Sequence, residues 1–140
     1  LVVSSRYERK LIKKVEREYD TEGAKGLRGP GSLKVDNLFL FPLSSPRTVT
    51  TILEVKKTQK PTRWHFSERE REQFWDYQEW VDLGYEVAWA IRHTRGSRDN
   101  RWRFFRQREM DEPKTLVRYK GMTFKEYFDQ LLAGEFDQHG

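Results

Sequence analysis

Thr51-Ile52-Leu53-Glu54-Val55-Lys56-Lys57 is an apolar, β-branched segment interrupted by one acid and closed by two amines. Side chains alternate along a strand, so Leu53 and Val55 share one face while Ile52, Glu54 and Lys56 share the other. An acid and an amine thus project side by side from a strand otherwise suited to a core. The β-branched run extends back to Thr48, and the spacing predicts a strand over Thr48 to Lys57. Upstream, Val35 to Phe41 is a second short apolar run whose one charge is Asp36. The Pro/Ser stretch Pro42 to Pro46 joins the two runs as neighbouring strands.

Working outward, Tyr7, Leu11, Ile12, Val15 and Tyr19 recur at three- and four-residue steps, which predicts a helix from about Arg6 to Tyr19 with a Lys/Arg outer face. The stretch Asp20 to Ser32 carries Gly23, Gly26, Gly29, Gly31 and Pro30 and reads as a long adaptable loop. Ser67 with Glu70 forms a capping box, followed by Phe74, Tyr77 and Val81 at helical spacing until Gly84, which predicts a helix over Glu68 to Leu83. Tyr85 to Ile91 and Arg101 to Phe105 read as strands joined by the polar turn Thr94 to Asn100. A second capping box, Thr123 with Glu126, opens a last helix that buries Phe124, Tyr127, Phe128, Leu131 and Leu132. Helices and strands in this order predict an α/β fold, a central mixed sheet flanked by helices.

The chain has 140 residues, enough for one domain with a modest core and too few for a multi-domain machine. Charged residues make up 35% and aromatics 14%; the formal net charge is +5, favouring a polyanionic partner if the cations cluster. Without cysteine there is no thiolate nucleophile, disulfide frame or Cys-based zinc site, which suits a reducing compartment. No stretch approaches the roughly 18 apolar residues of a membrane span, and Leu1-Val2-Val3 is too short for a signal segment. The expectation is a soluble intracellular protein, in the cytoplasm or nucleoid, or in a host cytoplasm if viral.

Two carboxylates on neighbouring strands repel unless a cation lies between them, and a hard divalent ion such as Mg²⁺ takes oxygen ligands of this kind. Asp36 and Glu54, with Lys56 two residues on, therefore propose a metal site with an amine beside it. Glu8, three, four and seven residues before Leu11, Ile12 and Val15, sits on or beside the buried face of the first helix.

The series Glu8, Arg28 and Ser32 in a Gly-rich loop, Asp36, then Glu54-Val55-Lys56 resembles the PD-(D/E)XK nucleases, and among them the archaeal-type Holliday junction resolvases. By motif order the match covers roughly the first two-thirds of the chain. Val35 stands where the motif has Pro, and Gln73 falls where these nucleases often carry a polar site residue. From about His93 onward no counterpart is placed. The resemblance implies a restriction-endonuclease-like fold, one nuclease domain over 1–140 with its core in 1–92 and an Arg-rich hairpin and C-terminal helix in 93–140. It implies Mg²⁺, with Mn²⁺ as a substitute, held by Asp36, Glu54 and the Val55 carbonyl, with Glu8 reaching it through water. Lys56 would orient the attacking water and the phosphate, and Ser32 joins the catalytic set. Arg9, Arg28 and Gln73 are expected to contact DNA. The implied activity is paired hydrolysis of four-way junctions by a homodimer, with no nucleotide cofactor.

Between Arg92 and Arg108 seven arginines alternate with Trp102, Phe104 and Phe105 against one acid, Asp99, predicting core aromatics with Arg98, Arg101 and Arg103 facing DNA. Blander readings stand beside these. Glu54 and Lys56 alone also fit an exposed edge-strand ion pair, Ser32 a turn residue, Arg28 a solvated charge. Two other functions share much of the pattern: a nuclease of linear duplex, flaps or single strands, and a non-catalytic nucleic-acid-binding module on the same scaffold.

Overall fold

The computed structural model describes residues 6–19, 25–27, 38–42 and 48–136. In chain order its elements are α1 (Arg6–Tyr19), β1 (Lys25–Leu27), β2 (Leu38–Pro42), β3 (Thr48–Thr58), β4 (Arg63–Trp64), α2 (Glu68–Asp82), β5 (Glu86–His93), β6 (Trp102–Arg106), β7 (Leu116–Val117), β8 (Met122–Thr123) and α3 (Phe124–Leu132). Six strands form one sheet in the order β1-β2-β3-β5-β6-β8, and β4 pairs with β7 in a small separate ribbon. β3 and β5 run parallel while their outer neighbours are antiparallel, so the sheet is mixed. A parallel pair requires a crossover, which β4 and α2 supply. The central mixed sheet flanked by helices is the architecture the sequence implies.

Both predicted capping boxes form. The Ser67 and Thr123 side chains accept from the N–H groups of Glu70 and Glu126, whose carboxylates accept in return from the cap N–H groups at 2.9 Å. Gly84, at φ 96°, ends α2 in the left-handed region that favours glycine.

Two cores lie on opposite faces of the sheet. On one, Leu53, Val55, Ala88, Ala90 and Phe104 pack under Leu11 and Val15 of α1 and Tyr127, Phe128 and Leu131 of α3. The small Ala88 and Ala90 leave room for the aromatic side chains of α3. On the other, Ile52, Val87, Trp89 and Ile91 meet Phe74, Tyr77 and Val81 of α2, with Trp64, Phe66 and Leu116 at the margin. Trp89 is wholly buried here, and its indole N–H donates to Gln107 Oε1 at 3.0 Å. Gln107 in turn donates to the Phe74 carbonyl at 2.7 Å, so the polar edge of the indole is satisfied inside an aromatic cluster.

The structure departs from the sequence reading in places. The Gly-rich stretch is not all loop: Lys25–Leu27 forms β1, in register with Leu38 to Leu40. Three residues free of proline suffice for a short edge strand, but they are too few to show a period. β5 and β6 each run past their predicted ends, to His93 and Arg106. Leu132, expected in the core, is only half-buried because it closes α3. β6, β8 and α3, all within 93–140, share the core with α1. No described helix is long and apolar enough to cross a membrane.

The β5–β6 turn is held from beneath by Arg118, which is wholly buried. Its guanidinium donates to the carbonyls of Pro61 (2.9 Å), Arg95 (3.2 Å), Ser97 (2.8 Å) and Asp99 (3.0 Å). Turn carbonyls facing inward need donors, and a guanidinium offers five in a fixed fork. Gly96 makes room for this arrangement: its φ is 87°, and a Cβ there would come within 2.8 Å of Pro61 Cβ and 2.9 Å of Arg118 Nη1.

Two expectations follow from this packing. Arg118→Met leaves the turn carbonyls without donors and should cost about 3 kcal/mol, read from the urea midpoint; an unchanged midpoint contradicts the staple. His93 is buried, and burial, with the nearby Arg118, Arg103 and Arg92, holds its imidazole below the usual 6.5 despite a bond to the Lys60 carbonyl. A neutral native imidazole stabilises fully above about pH 6.5, and that contribution is lost as pH falls toward the lowered native value. His93→Gln should therefore flatten the acid limb of the stability profile between pH 7 and 5; an identical limb contradicts it.

Candidate active site

β3 lies between β2 and β5, so the segment quoted at the outset is interior to the sheet. Glu54 is wholly buried, which removes the reading of an exposed edge-strand ion pair. Its Oε2 accepts a hydrogen bond from the Tyr77 hydroxyl of α2, and its Oε1 lies 2.9 Å from Lys56 Nζ. Lys56 Nζ is also 3.6 Å from Glu70 Oε2. Glu70 divides its labour, since its other oxygen completes the capping box of α2. The cap thus fixes the carboxylate that faces Lys56.

Glu70, Gln73 and Tyr77 fall at three- and four-residue steps and form one stripe of α2 laid over β3. Gln73 is half-buried, and its Oε1 is buried with no hydrogen-bond partner among the described residues. The spacing alone places Tyr77 in the core and Glu70 at the cap; each has a second contact, with Glu54 and Lys56 respectively. The shared stripe was visible in the spacing, but the strand it covers was not.

A cleft of about 450 Å³ opens where α1 crosses the end of β3. Glu8 of α1, Lys56 and Lys57 of β3 and Glu70 of α2 line it together with Tyr7 and Trp64. Glu8 is half-buried there, so the fold brings Glu8, Val55 and Lys56 to one opening, with Glu54 held beneath by Lys56. Arg9 is exposed on α1. Asp36, Ser32 and Arg28 lie outside the described residues. Among the described residues no three carboxylate or imidazole groups converge. Among the described residues, the carboxylates of Glu8 and Glu70 at the cleft are oxygen donors of the kind a hard cation takes.

A second buried acid shows what is particular to Glu54. Glu86 accepts from Arg106 Nε at 3.0 Å and from the Tyr127 hydroxyl at 2.9 Å. Burial pushes its carboxyl up, while the Arg106 and Tyr127 bonds oppose that shift. Both acids have a tyrosine and a cation, but Arg106 is buried, whereas Lys56 lines an opening. The first arrangement closes a core; the second leaves an ammonium at the wall of a cleft.

The Arg-rich hairpin needs correction. Trp102 and Phe104 are core residues as expected, but Arg103 is buried and donates to the carbonyls of Gly121 (3.0 Å) and Asn100 (3.3 Å). Its guanidinium is spent on the fold, because the β6–β8 edge and the turn leave carbonyls that need donors. Arg101 is half-buried and binds the Thr94 and Gly96 carbonyls at 2.5 and 3.4 Å, and Arg98 is exposed.

Tyr77→Phe isolates the role of the hydroxyl: it removes a donor from a buried carboxylate while keeping the ring. A loss of about 1–3 kcal/mol is expected in chemical denaturation, and wild-type stability contradicts the pairing.

No protein-family model matches the sequence, and no curated protein matches it. Among solved structures, the chain is similar to Hjc, a Holliday junction resolvase from the archaeal hyperthermophile Archaeoglobus fulgidus. The TM-score is 0.57 at 20% identity, covering 89% of this chain and 93% of that one. The likeness extends beyond the first two-thirds to which the motifs confine it. What is shared is the fold: this chain has the central mixed sheet and flanking helices of an archaeal Holliday junction resolvase.

Proposed function

We propose that this chain is a divalent-metal-dependent endodeoxyribonuclease of the Holliday junction resolvase type, one nuclease domain that acts on four-way DNA junctions as a homodimer. The observation that carries the reading is Glu54, a carboxylate wholly removed from water on an interior strand, whose partner Lys56 opens into a cleft shared with Glu8. Burying a carboxylate is costly, and such placements concentrate where the charge has a chemical task. The likeness in fold to a resolvase supports the same reading.

Asp36, Glu54 and the Val55 carbonyl would hold Mg²⁺ or Mn²⁺, with Glu8 placed to reach it through water. The bound cation supplies charge neutralisation on the phosphate and a more acidic water. Tyr77 holds Glu54 in one orientation, so the carboxylate need not reorganise when phosphate arrives. Lys56 has three N–H donors and, once released from Glu54, would orient the attacking water and a phosphate oxygen; Glu70 stays beside it as a second acceptor. Ser32 and Arg28 would contribute from the loop, and Arg9 and Gln73 would contact the DNA backbone.

Resolving a junction takes two nicks related by near-twofold symmetry, and one chain carries one set of Glu8, Asp36, Glu54 and Lys56. A C₂ pair supplies the second set. α2 offers surface for such a pair, since Trp75 is 51% exposed beside the buried Phe74.

Glu54→Gln, Asp36→Asn and Lys56→Ala should each lower junction cleavage at least about a hundredfold while leaving junction binding intact. Near wild-type cutting by either acid variant overturns the assignment. Light scattering at micromolar concentration should return about twice 17.0 kDa. A monomeric mass where junctions are cut efficiently contradicts the dimer and shifts weight to a linear-duplex or flap nuclease.

A further inference from the structure

On the α1 side of the sheet lies a second cleft, of about 270 Å³. Lys14 of α1, Arg92 of β5, and Arg98, Asn100 and Arg101 of the β5–β6 turn line it over the ring of Trp102. No acid lines it among the described residues. Cations brought together without an acid repel one another, and the fold must supply reason enough to hold them so.

Arg92 is incompletely satisfied. It is half-buried with its guanidinium 5.7 Å from the centre of the Trp102 ring, and among the described residues Nη1 reaches only the His93 carbonyl, at 3.5 Å. Its Nε is buried with no hydrogen-bond partner among the described residues. Burial and the neighbouring Arg101 both push its pKa down, the direction expected of a buried cation short of a counter-ion. The rest of the site is rigid. Arg101 is tied to the Thr94 and Gly96 carbonyls, and Arg118 holds the backbone on both sides of Arg98 through Ser97 and Asp99. Lys14 pairs with Glu18 at 2.8 Å, an exposed helix-surface pair of small weight that an incoming anion can replace.

The cleft neighbours the candidate active site. Lys57 and Arg92 are directly paired in the β3–β5 register, a separation of about 4.8 Å. The Lys57 ammonium lies 5.4 Å from the ring centre of Tyr7, and both residues also line the cleft of Lys56 and Glu8. The axial rise of about 3.4 Å per nucleotide is the least separation of successive phosphates, so a pocket one or two strand spacings away lies at most about three nucleotides along a strand.

We propose that this cleft is a phosphodiester pocket, in which Arg92, Arg98, Arg101 and Lys14 hold a backbone phosphate of the DNA one to three nucleotides from the scissile one. The assignment rests on the nuclease reading above. A phosphodiester presents two non-bridging oxygens to the paired donors of arginine, and the pocket completes Arg92 by giving its Nε an acceptor.

Single methylphosphonate substitutions placed along the strand of a four-way junction test this directly, because each removes one backbone charge. In the wild-type protein, with Ca²⁺ in place of Mg²⁺ to prevent cutting, one substitution within three nucleotides of the cut should weaken binding about tenfold. In Arg92→Gln, and independently in Arg98→Ala on the exposed turn, that penalty should fall below about twofold, while Arg92→Lys retains part of it. Wild-type indifference to every substitution in that window, or a penalty unchanged in both Arg92→Gln and Arg98→Ala, overturns the pocket while leaving the nuclease reading standing. A wild-type protein that neither binds nor cuts the unmodified junction overturns both.

Discussion

A carboxylate held inside a sheet, with a tyrosine on one oxygen and a lysine on the other, governs the arrangement of this molecule. Glu54 sits on β3, within the parallel β3–β5 pair that makes the α2 crossover necessary. The crossover sets α2 over that pair, and Tyr77 donates from it to the acid it covers. Without that donor and the Lys56 ammonium, the strand would carry an uncompensated charge in its core. The second buried acid, Glu86, obeys the same rule with Tyr127 and Arg106 but is sealed. The difference between the two lies in the cation: a buried guanidinium in one, an ammonium at the wall of a cleft in the other.

α2 ties stability to chemistry along a single stripe. Its first turn is fixed by the Ser67–Glu70 box, and the free oxygen of Glu70 faces Lys56. Its middle buries Phe74 against Trp89 while Tyr77 reaches Glu54. Arginine plays a parallel part at the other end of the sheet. Arg118 and Arg103 satisfy turn carbonyls, and by doing so they hold the turn that carries Arg98. Part of the positive charge that composition assigns to a polyanionic partner is therefore structural, while Arg98 on the turn stays exposed.

Much of this was legible before any coordinates. The capping boxes, the helical stripes and the two-residue alternation around Glu54 depend on neighbours close in sequence, and they formed where the residues require. The half-buried position of Glu8 also followed from the stripe of α1. β1, β4, β7 and β8, at two or three residues each, are too short to carry a period and are created by their partners. The role of the Tyr77 hydroxyl is not legible in the sequence because its position already satisfies a core stripe, and spacing does not say which strand a helix will cover. The fate of Arg103 and Arg118 depended on carbonyls in distant turns, which no local pattern reports.

The account stands most directly on the selectivity of cutting. A four-way junction and a linear duplex of the same arm sequence, incubated side by side with the purified protein in Mg²⁺ and again in EDTA, separate the readings. Paired incisions in the junction, little cutting of the duplex and no product in EDTA are the predicted result. Equal cutting of both substrates, or junction cleavage that persists in EDTA, would contradict it.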